Sequence, residues 1–384
     1  MPPLKIPAVF MRGGTSKGII FNARDLPSDI VLRDRILLGA LGSPDPYRRQ
    51  IDGLGGATSS SSKAVVISKS QREDCDVDYL VGQVDIAEPV VDYSSNCGNL
   101  SAAVGPYAIN TGLVAANGDV TEVRIFQVNT NRRIIARVPT RGGLVVEDGD
   151  YRIDGIARSG ARVDLRFLDP GGGGTGRLFP TGNVTDTVNV PGHGPITVTI
   201  IDAGLIAAFV KAPDLGLSGT ELKPAIDPDE KILKLLEAIR GEVAVLLGMS
   251  PDASSASRCA PILPRIAFVA PPQDYLAAGG RNISGKDIDV VARAISGGVL
   301  HHAYEVTGAI ATAAAAAIPG TIVNQVGNFS PAASREVRIG HTSGTISVGI
   351  DLSKRDGAWH VDCATLGRTA RTIMEGVVYL PAST

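Results

Sequence analysis

The sequence predicts an α+β fold of two similar halves, each a set of short strands around one central helix. Three observations predict it. Glycine is abundant, 45 of 384 residues, about 12% against a usual ~7%, and it is spread among β-branched runs, as expected for many tight turns between short strands. Two stretches run from small polar residues into apolar ones, one opening at Asn96-Cys97-Gly98-Asn99 and one at Thr307-Gly308. The order of motifs in the first half recurs in the second.

The length suggests two domains, each able to bury its own core. The turn-rich stretch from 185 to 195 marks the border: 1–185 as the first domain, 186–371 as the second, with 372–384 a candidate to return to the first. A net charge of −2 gives no bulk attraction to nucleic acid or to an anionic membrane. The four cysteines, Cys75, Cys97, Cys259 and Cys363, form no CxxC, and the histidines are dispersed apart from His301-His302. No metal site and no disulfide framework is expected, which suits reduced thiols in the cytoplasm. The N-terminus lacks the apolar core of a signal peptide, and no apolar run reaches membrane-spanning length. The expected partner is therefore a small molecule, with a homodimer one candidate assembly.

In chain order, Ala8-Val9-Phe10-Met11 and Gly18-Ile19-Ile20-Phe21 read as two strands around the turn Arg12 to Lys17. Two glycines, two hydroxyls and two cations make that turn either a carboxylate receptor or an ordinary glycine hairpin. It is not a phosphate-binding P-loop, because the spacing fails and a strand follows. Leu32 to Leu41 reads as a short amphipathic helix. The tract Asp52 to Ser62 has a linker's composition, yet it ends in Lys63 flush against the strand Ala64-Val65-Val66-Ile67. A lysine held among small residues and short of water can trade protons near neutrality; the competing reading is a solvated lysine. Val77 to Val84 and Pro89 to Tyr93 are strands, as are Val123 to Val128 and Ile134 to Val138, paired around Asn129-Thr130-Asn131. The Gly171 to Gly176 tract is expected as a mobile surface loop.

The stretch between those strand pairs carries the chemistry. Leu100, Ala103, Val104 and Tyr107 recur at helical spacing, and Ser95 and Asn96 before them are both able to cap. Cys97 is thereby expected in a first helical turn, where free N–H groups and the dipole favour a thiolate and an anionic ligand. Gly98 bares backbone for close approach. The bland alternative is a core cysteine on a packed helix, which would gain nothing from Asn-Cys-Gly-Asn.

The repeat sets Phe21 to Leu26 against Val210 to Leu215, Val65-Val66-Ile67 against Ile266 to Val269, and Cys97 to Ala103 against Thr307 to Ala313. Two halves facing across a cleft would aim two helix N-termini at one ligand. Such a ligand should carry several negative charges, so a polycarboxylate is expected.

The motifs Met11 to Gly18, Gly42-Ser43-Pro44-Asp45, Ser62-Lys63, Asn96 to Leu100 and Val104-Gly105-Pro106 resemble those of the PrpF-type isomerases. That family includes 2-methylaconitate cis–trans isomerase, methylitaconate Δ-isomerase and 4-oxalomesaconate tautomerase. The likeness continues through Pro264 to Pro272, the His301-to-Gly320 helix, His341 to Gly344, and Arg371 to Pro381. It implies the diaminopimelate-epimerase-like fold, with a β-barrel-like sheet around a central helix in each domain. It also implies that no cofactor is needed and that Lys63 and Cys97 move protons. One departure is Asp202-Ala203-Gly204-Leu205-Ile206, where the family commonly has a polar Asp-Ala-Gly-Asn-Pro-like turn. Another is Tyr93-Ser94-Ser95, in place of a tryptophan-containing variant.

The reaction inferred is an allylic proton shift in an unsaturated di- or tricarboxylate, with either Lys63 or Cys97 as base and the other as acid. Substrate contacts are expected from the first domain at Arg12, Gly14, Thr15, Ser16, Ser62, Asn96, Gly98, Asn99 and Leu100. The second is expected to supply Thr307, Gly308, His341 and Ser343. The rivals are an amino-acid racemase or epimerase, which needs two facing cysteines, and a non-catalytic carboxylate-binding protein. Covalent cysteine hydrolysis would need a histidine base. The repeat puts Thr307 where a second cysteine would stand, and a threonine hydroxyl cannot serve as the opposing base.

Overall fold

The computed structural model describes residues 4–329 and 334–381. The chain divides into two compact units, one running through Arg166 and resuming at Gly367, the other Phe167–Leu366. The border thus lies earlier than residue 185 because the 171–176 tract belongs to the second unit. Gly171 bridges to Ala203. The N–H groups of Gly174 and Thr175 close on the buried Asp202 carboxylate at 2.8 and 2.7 Å, and the Thr175 hydroxyl adds a bond at 2.9 Å. The glycine loop is a pinned cradle for a carboxylate of its own unit, not the free surface loop its composition suggests.

In the first unit, β1 (Leu4–Gly13) and β2 (Ser16–Asn22) form an antiparallel hairpin closed by Gly13 and Ser16. β2 then runs parallel to β3 (Lys63–Lys69), with Ile19 opposite Ala64. A parallel step needs a crossover, and α1 (Ile30–Leu41) lies within it. The Asp29 carboxylate caps α1 through the Leu32 N–H, and Gly42 ends it at φ +73°, a left-handed position glycine takes readily. β4 (Val77–Val84) returns antiparallel to β3, placing Gln83 opposite Lys63. The short β5 (Val91–Asp92) leads to α2 (Ser101–Asn110), then to β6 (Val120–Gln127), parallel to β4, and its hairpin partner β7 (Arg132–Arg141). The last strand, Ala370–Leu380, pairs antiparallel with β1 on its other side.

Side chains on β6 alternate between buried and exposed, the mark of a sheet with one core face. α2 is buried from Ser101 through Ile109, as a helix apolar on every side must be. Burial of side chains such as Leu100 and Val104 contributes about 1.5–3 kcal/mol each. Gly105 permits close approach to β7, since a Cβ there would meet Val138 Cγ2 at 2.6 Å.

The second unit repeats this sequence of pairings. Gly194–Ala203 and Leu205–Lys211 form the hairpin, and Leu205–Lys211 runs parallel to Arg265–Ala270. Arg265–Ala270 is antiparallel to Val290–Ser296, which is parallel to Ser334–His341, itself antiparallel to Gly344–Arg355. The helix Glu230–Leu246 stands in the first crossover and Val306–Ala317 in the second, the latter buried along its whole length. The repeat legible in the sequence is thus a repeat of strand order and strand sense.

Candidate active site

The β1–β2 hairpin tip rests on the chain entering α2. A Cβ on Gly13 would meet Asn99 O at 2.6 Å and Leu100 Cα at 3.0 Å. Gly14 sits at φ +52°, and a Cβ there would lie 2.1 Å from Asn99 Oδ1. Only glycine allows this contact. The tip is fastened by Thr15 N–H donating to Asn99 Oδ1 at 3.2 Å and Gly14 N–H donating to Thr369 O at 2.9 Å. Ser16, at the closing pair, is buried. Three side-chain oxygens here, Thr15 Oγ1, Asn96 Oδ1 and Thr369 Oγ1, are buried without a hydrogen-bond partner among the described residues. An unsatisfied buried polar group costs about 1–3 kcal/mol, so each asks for an explanation.

Cys97 does not sit in the first turn of a regular helix. α2 begins at Ser101 with Leu100 as its cap and no capping side chain, so Ser95 and Asn96 do not cap it. The chain nevertheless turns helically from the cysteine on. The Cys97 carbonyl accepts the Ser101 N–H at 3.1 Å, the Ser101 hydroxyl at 3.2 Å and the Tyr79 hydroxyl at 3.1 Å. Within this extra turn Asn99 meets the hairpin tip through both its backbone and its side chain. Among the described residues the N–H groups of Gly98, Asn99 and Leu100 donate to no protein acceptor. Tyr79 is fully buried; burial, and then the charge of Cys97, push its pKa well above the ordinary tyrosine value, so it remains a neutral donor.

Lys63 is brought to the same place by the parallel step from β2. A Cβ on Gly18 would meet Lys63 O at 2.7 Å, Leu100 Cδ1 at 3.2 Å and Lys63 Cβ at 3.3 Å. The lysine therefore starts its strand beside the residue three after Cys97. Its ammonium donates to Gln83 Oε1, while Gln83 Nε2 donates to Ser62 O at 2.8 Å. Ser62 is fully buried, and its hydroxyl donates to Val84 O at 2.8 Å and accepts from Gln50 Nε2 at 2.7 Å. Gln50 also reaches Ser43 Oγ at 2.9 Å and accepts the Ala57 N–H at 2.8 Å. The stretch with a linker's composition is thus held by one buried amide. Sequence reading missed Gln50, Gln83 and Tyr79; the available signal for Gln83 was a long polar side chain within an otherwise strand-like run.

Arg12 faces away from the cysteine. Gly13 points its Cβ position at Asn99 and Leu100, and neighbouring strand residues point to opposite faces. The Arg12 guanidinium braces the tip from behind, Nη1 donating to Gly14 O at 3.0 Å and Thr369 O at 2.9 Å. Strand alternation thus sets Arg12 on the face opposite Gly13, where its guanidinium holds the tip's backbone.

In the second unit, Thr307 and Gly308 lie in the first turn of Val306–Ala317. Gly204, at the hairpin tip, would bring a Cβ to 3.3 Å from Thr307 O, the same relation of tip to helix start as in the first unit. A Cβ on Gly308 would make ordinary contacts only, with Glu305 Cβ at 3.7 Å and with Glu305 Oε2 and Tyr304 Cε1 at 3.8 Å, so packing does not require that glycine. His341 is buried; its Nδ1 accepts the Ser343 N–H at 3.2 Å and its ring stacks on Tyr304, centroids 6.4 Å apart. The Ser343 hydroxyl donates to His302 O. Arg265 opens its strand as Lys63 opens β3, since Ile266 lies opposite Ala208 as Ala64 lies opposite Ile19. It forms an ion pair with Glu305 at 2.9 Å, both largely buried. None of the four cysteines is joined in a disulfide, and among the described residues no group of three or more His, Cys, Asp or Glu could hold a metal ion. Among the same residues no helix is long and apolar enough to cross a membrane.

Comparison with known proteins gives these folds and motifs a context. The family model described as "PrpF protein" matches residues 3–381. A 2-methyl-aconitate isomerase of Cupriavidus necator is 46% identical, with 99% of this chain and 98% of the relative covered. A 3-methylitaconate isomerase of Eubacterium barkeri is 44% identical over 98% of this chain and 97% of its own. The crystal structure of a methylitaconate-delta-isomerase superposes with a TM-score of 0.80 at 42% identity, covering 100% of this chain and 97% of that one. A hydroxyproline epimerase from Agrobacterium vitis, at 13% identity and a TM-score of 0.59, covers 98% of this chain and 93% of its own and shares the fold alone. The architecture is the α+β, diaminopimelate-epimerase-like fold.

Proposed function

The chain belongs to the PrpF family and is an isomerase, and from that premise we propose that it moves or isomerises the double bond of a small unsaturated di- or tricarboxylate by proton transfer through Lys63 and Cys97. The acids we have in view are of the methylaconitate, methylitaconate or oxalomesaconate kind. The observation that carries the reading is the meeting at Gly18, where Lys63 Cβ and the Leu100 side chain both lie within 3.3 Å of one absent Cβ. A lysine and the cysteine-bearing turn are thereby neighbours in one unit.

In the proposed reaction one of the two groups removes a proton from the carbon next to the double bond. The electron pair moves into the conjugated carboxylate, and the other group returns a proton at the far end of the allyl system. Carbon acids of this kind are weak, so the anion must be stabilised as it forms. The free N–H groups of Gly98, Asn99 and Leu100 and the unpartnered Thr15 hydroxyl suit that task. Ser16 and the Asn99 backbone are the accompanying carboxylate contacts. No cofactor enters these steps. Four cysteines with no CxxC spacing suit a reducing compartment, and we assign the protein to the cytoplasm.

The second unit supports an isomerase over a two-base epimerase. At the positions equivalent to Lys63 and Cys97 it carries Arg265 and Thr307, and neither a guanidinium nor a threonine hydroxyl acts as a base near neutral pH. The test is a panel of unsaturated tricarboxylates followed by NMR in D₂O. Double-bond migration with deuterium entering the allyl system is expected. Inversion of proline or diaminopimelate, with deuterium at the α-carbon and no tricarboxylate turnover, would overturn the proposal.

A further inference from the structure

Behind the hairpin tip, on the face of β1 away from Cys97, a cavity of about 330 Å³ is lined by Arg12, Glu147, Asp148, Arg158, Ser159 and Arg371, among others. This volume lies at the small end of ligand pockets, roughly 300–1,000 Å³. Arg12 and Arg371 are direct cross-strand partners between β1 and Ala370–Leu380. Like charges so placed ordinarily destabilise a sheet, and Arg12 is held rigidly in that position by the two carbonyls on its Nη1. Its Nε and Nη2 donate to no protein atom among the described residues. Burial, reinforced by Arg371, lowers the Arg12 pKa from its ordinary value. The charge of Glu147 offsets part of this crowding, but three arginines face two acidic residues in the cavity. Glu147 Oε1 is taken by the Thr372 N–H at 2.8 Å, and among the described residues none of these five charged groups forms an ion pair.

A guanidinium edge with two unspent, coplanar N–H groups matches the paired oxygens of a carboxylate or phosphate. We propose that this cavity is a binding site for a small oxyanion, carboxylate or phosphate, held by Arg12 and Arg371 with Arg158, and separate from the Lys63–Cys97 site. Its occupant would relieve the facing arginines. It would also steady the guanidinium that anchors Gly14 and Thr369, and with them the tip that carries Thr15.

The experiment is calorimetric titration in a low-chloride buffer, using inorganic phosphate in one arm and malonate, which has no double bond to move, in the other. Wild type and Lys63→Met should bind one or both anions with equal affinity. Arg371→Ala and Arg158→Ala, each altering an exposed side chain, should weaken binding at least tenfold and leave turnover of the unsaturated acid intact. Tighter binding of phosphate or of malonate identifies which oxyanion geometry the cavity takes, and either supports the site. The proposal fails if neither anion binds saturably. It fails equally if binding is lost in Lys63→Met but kept in Arg371→Ala, which would assign the anion to the isomerase site. Because isomerase turnover is assayed separately, failure here leaves the proposed reaction standing.

Discussion

Gln83 bridges Lys63 to the backbone just before it: Oε1 accepts from the Lys63 ammonium, and Nε2 donates to Ser62 O at 2.8 Å. The amide fixes the direction of a long, flexible side chain whose rotamer entropy otherwise opposes ordering. Gln83→Leu removes both bonds and keeps most of the volume. The expected outcome is a fall in kcat of about tenfold or more, with KM changed less, because positioning matters most in the reacting complex. Gln83→Asn, too short to reach both partners, should fall between. A KM rise with unchanged kcat in Gln83→Leu would count against a positioning role.

Lys63 and Cys97 themselves should matter more. Lys63→Met and Cys97→Ala are each expected to lower turnover by about 10²-fold or more, the scale of a positioned proton-transfer group. Lys63 is the first residue of its strand and Cys97 precedes α2, so neither lies inside a regular element, and circular dichroism should show an intact fold. Near-wild-type rates in both variants would remove the pair from the mechanism.

How much of this was legible follows from the kind of interaction involved. Lys63 could be singled out because a charged residue abuts an apolar strand, and Cys97 because small polar residues precede a helical pattern. Both are local signals. The helix start was misplaced by four residues because Ser95 and Asn96 are good caps by type, whereas tertiary contact with the hairpin tip decided where regular helix begins. Arg12 is grouped with the substrate contacts because the turn from Arg12 to Lys17 combines glycines, hydroxyls and cations; strand alternation sends Arg12 and Gly13 to opposite faces. The roles of Gln50 and Gln83 were not legible, beyond the polar side chain of Gln83 in a strand-like run, since their partners Ser43, Ser62 and Lys63 are gathered by the fold. The repeat was legible in outline. The equivalence of Lys63 with Arg265 needed the strand register.

Thr15 offers a test of the unpaired oxygens. Thr15→Val deletes a buried hydroxyl that has no protein partner while keeping the side-chain shape. If that hydroxyl serves only the fold, losing it should leave stability unchanged or raise it. The expectation is weaker substrate binding, seen as a higher KM or a lower kcat/KM, with an unfolding midpoint equal to or above that of wild type. Unchanged kinetics would sink the assignment. Gly14→Ala is the complementary case: its Cβ would fall 2.1 Å from Asn99 Oδ1 at a φ of +52°. Both stability and turnover should drop.

The second unit carries a pH dependence of its own. His301 is fully buried, and burial lowers its pKa from 6.5 to about 4, outweighing the opposing charge of Glu305. Its Nδ1 accepts the Ala303 N–H at 3.1 Å, an arrangement that requires an unprotonated nitrogen. The charged groups around it are Glu305, which favours protonation, and Arg265 and His302, which oppose it. In the unfolded chain the imidazole takes up a proton near pH 6.5, whereas in the folded chain it resists until about pH 4. Between those values the unfolded state binds more protons, so stability falls as pH is lowered through that window. At about 1.4 kcal/mol per unit, the loss is on the order of 3 kcal/mol by pH 4. Carboxylates with lowered pKa values, such as Asp76 and Asp252, lose their contribution only as pH falls below the ordinary carboxylate range, so the two effects separate. Thermal unfolding at pH 7 and pH 5 should show a lower midpoint at pH 5 in wild type and a smaller difference in His301→Gln. Equal pH dependence in the two proteins would show that His301 does not cause it.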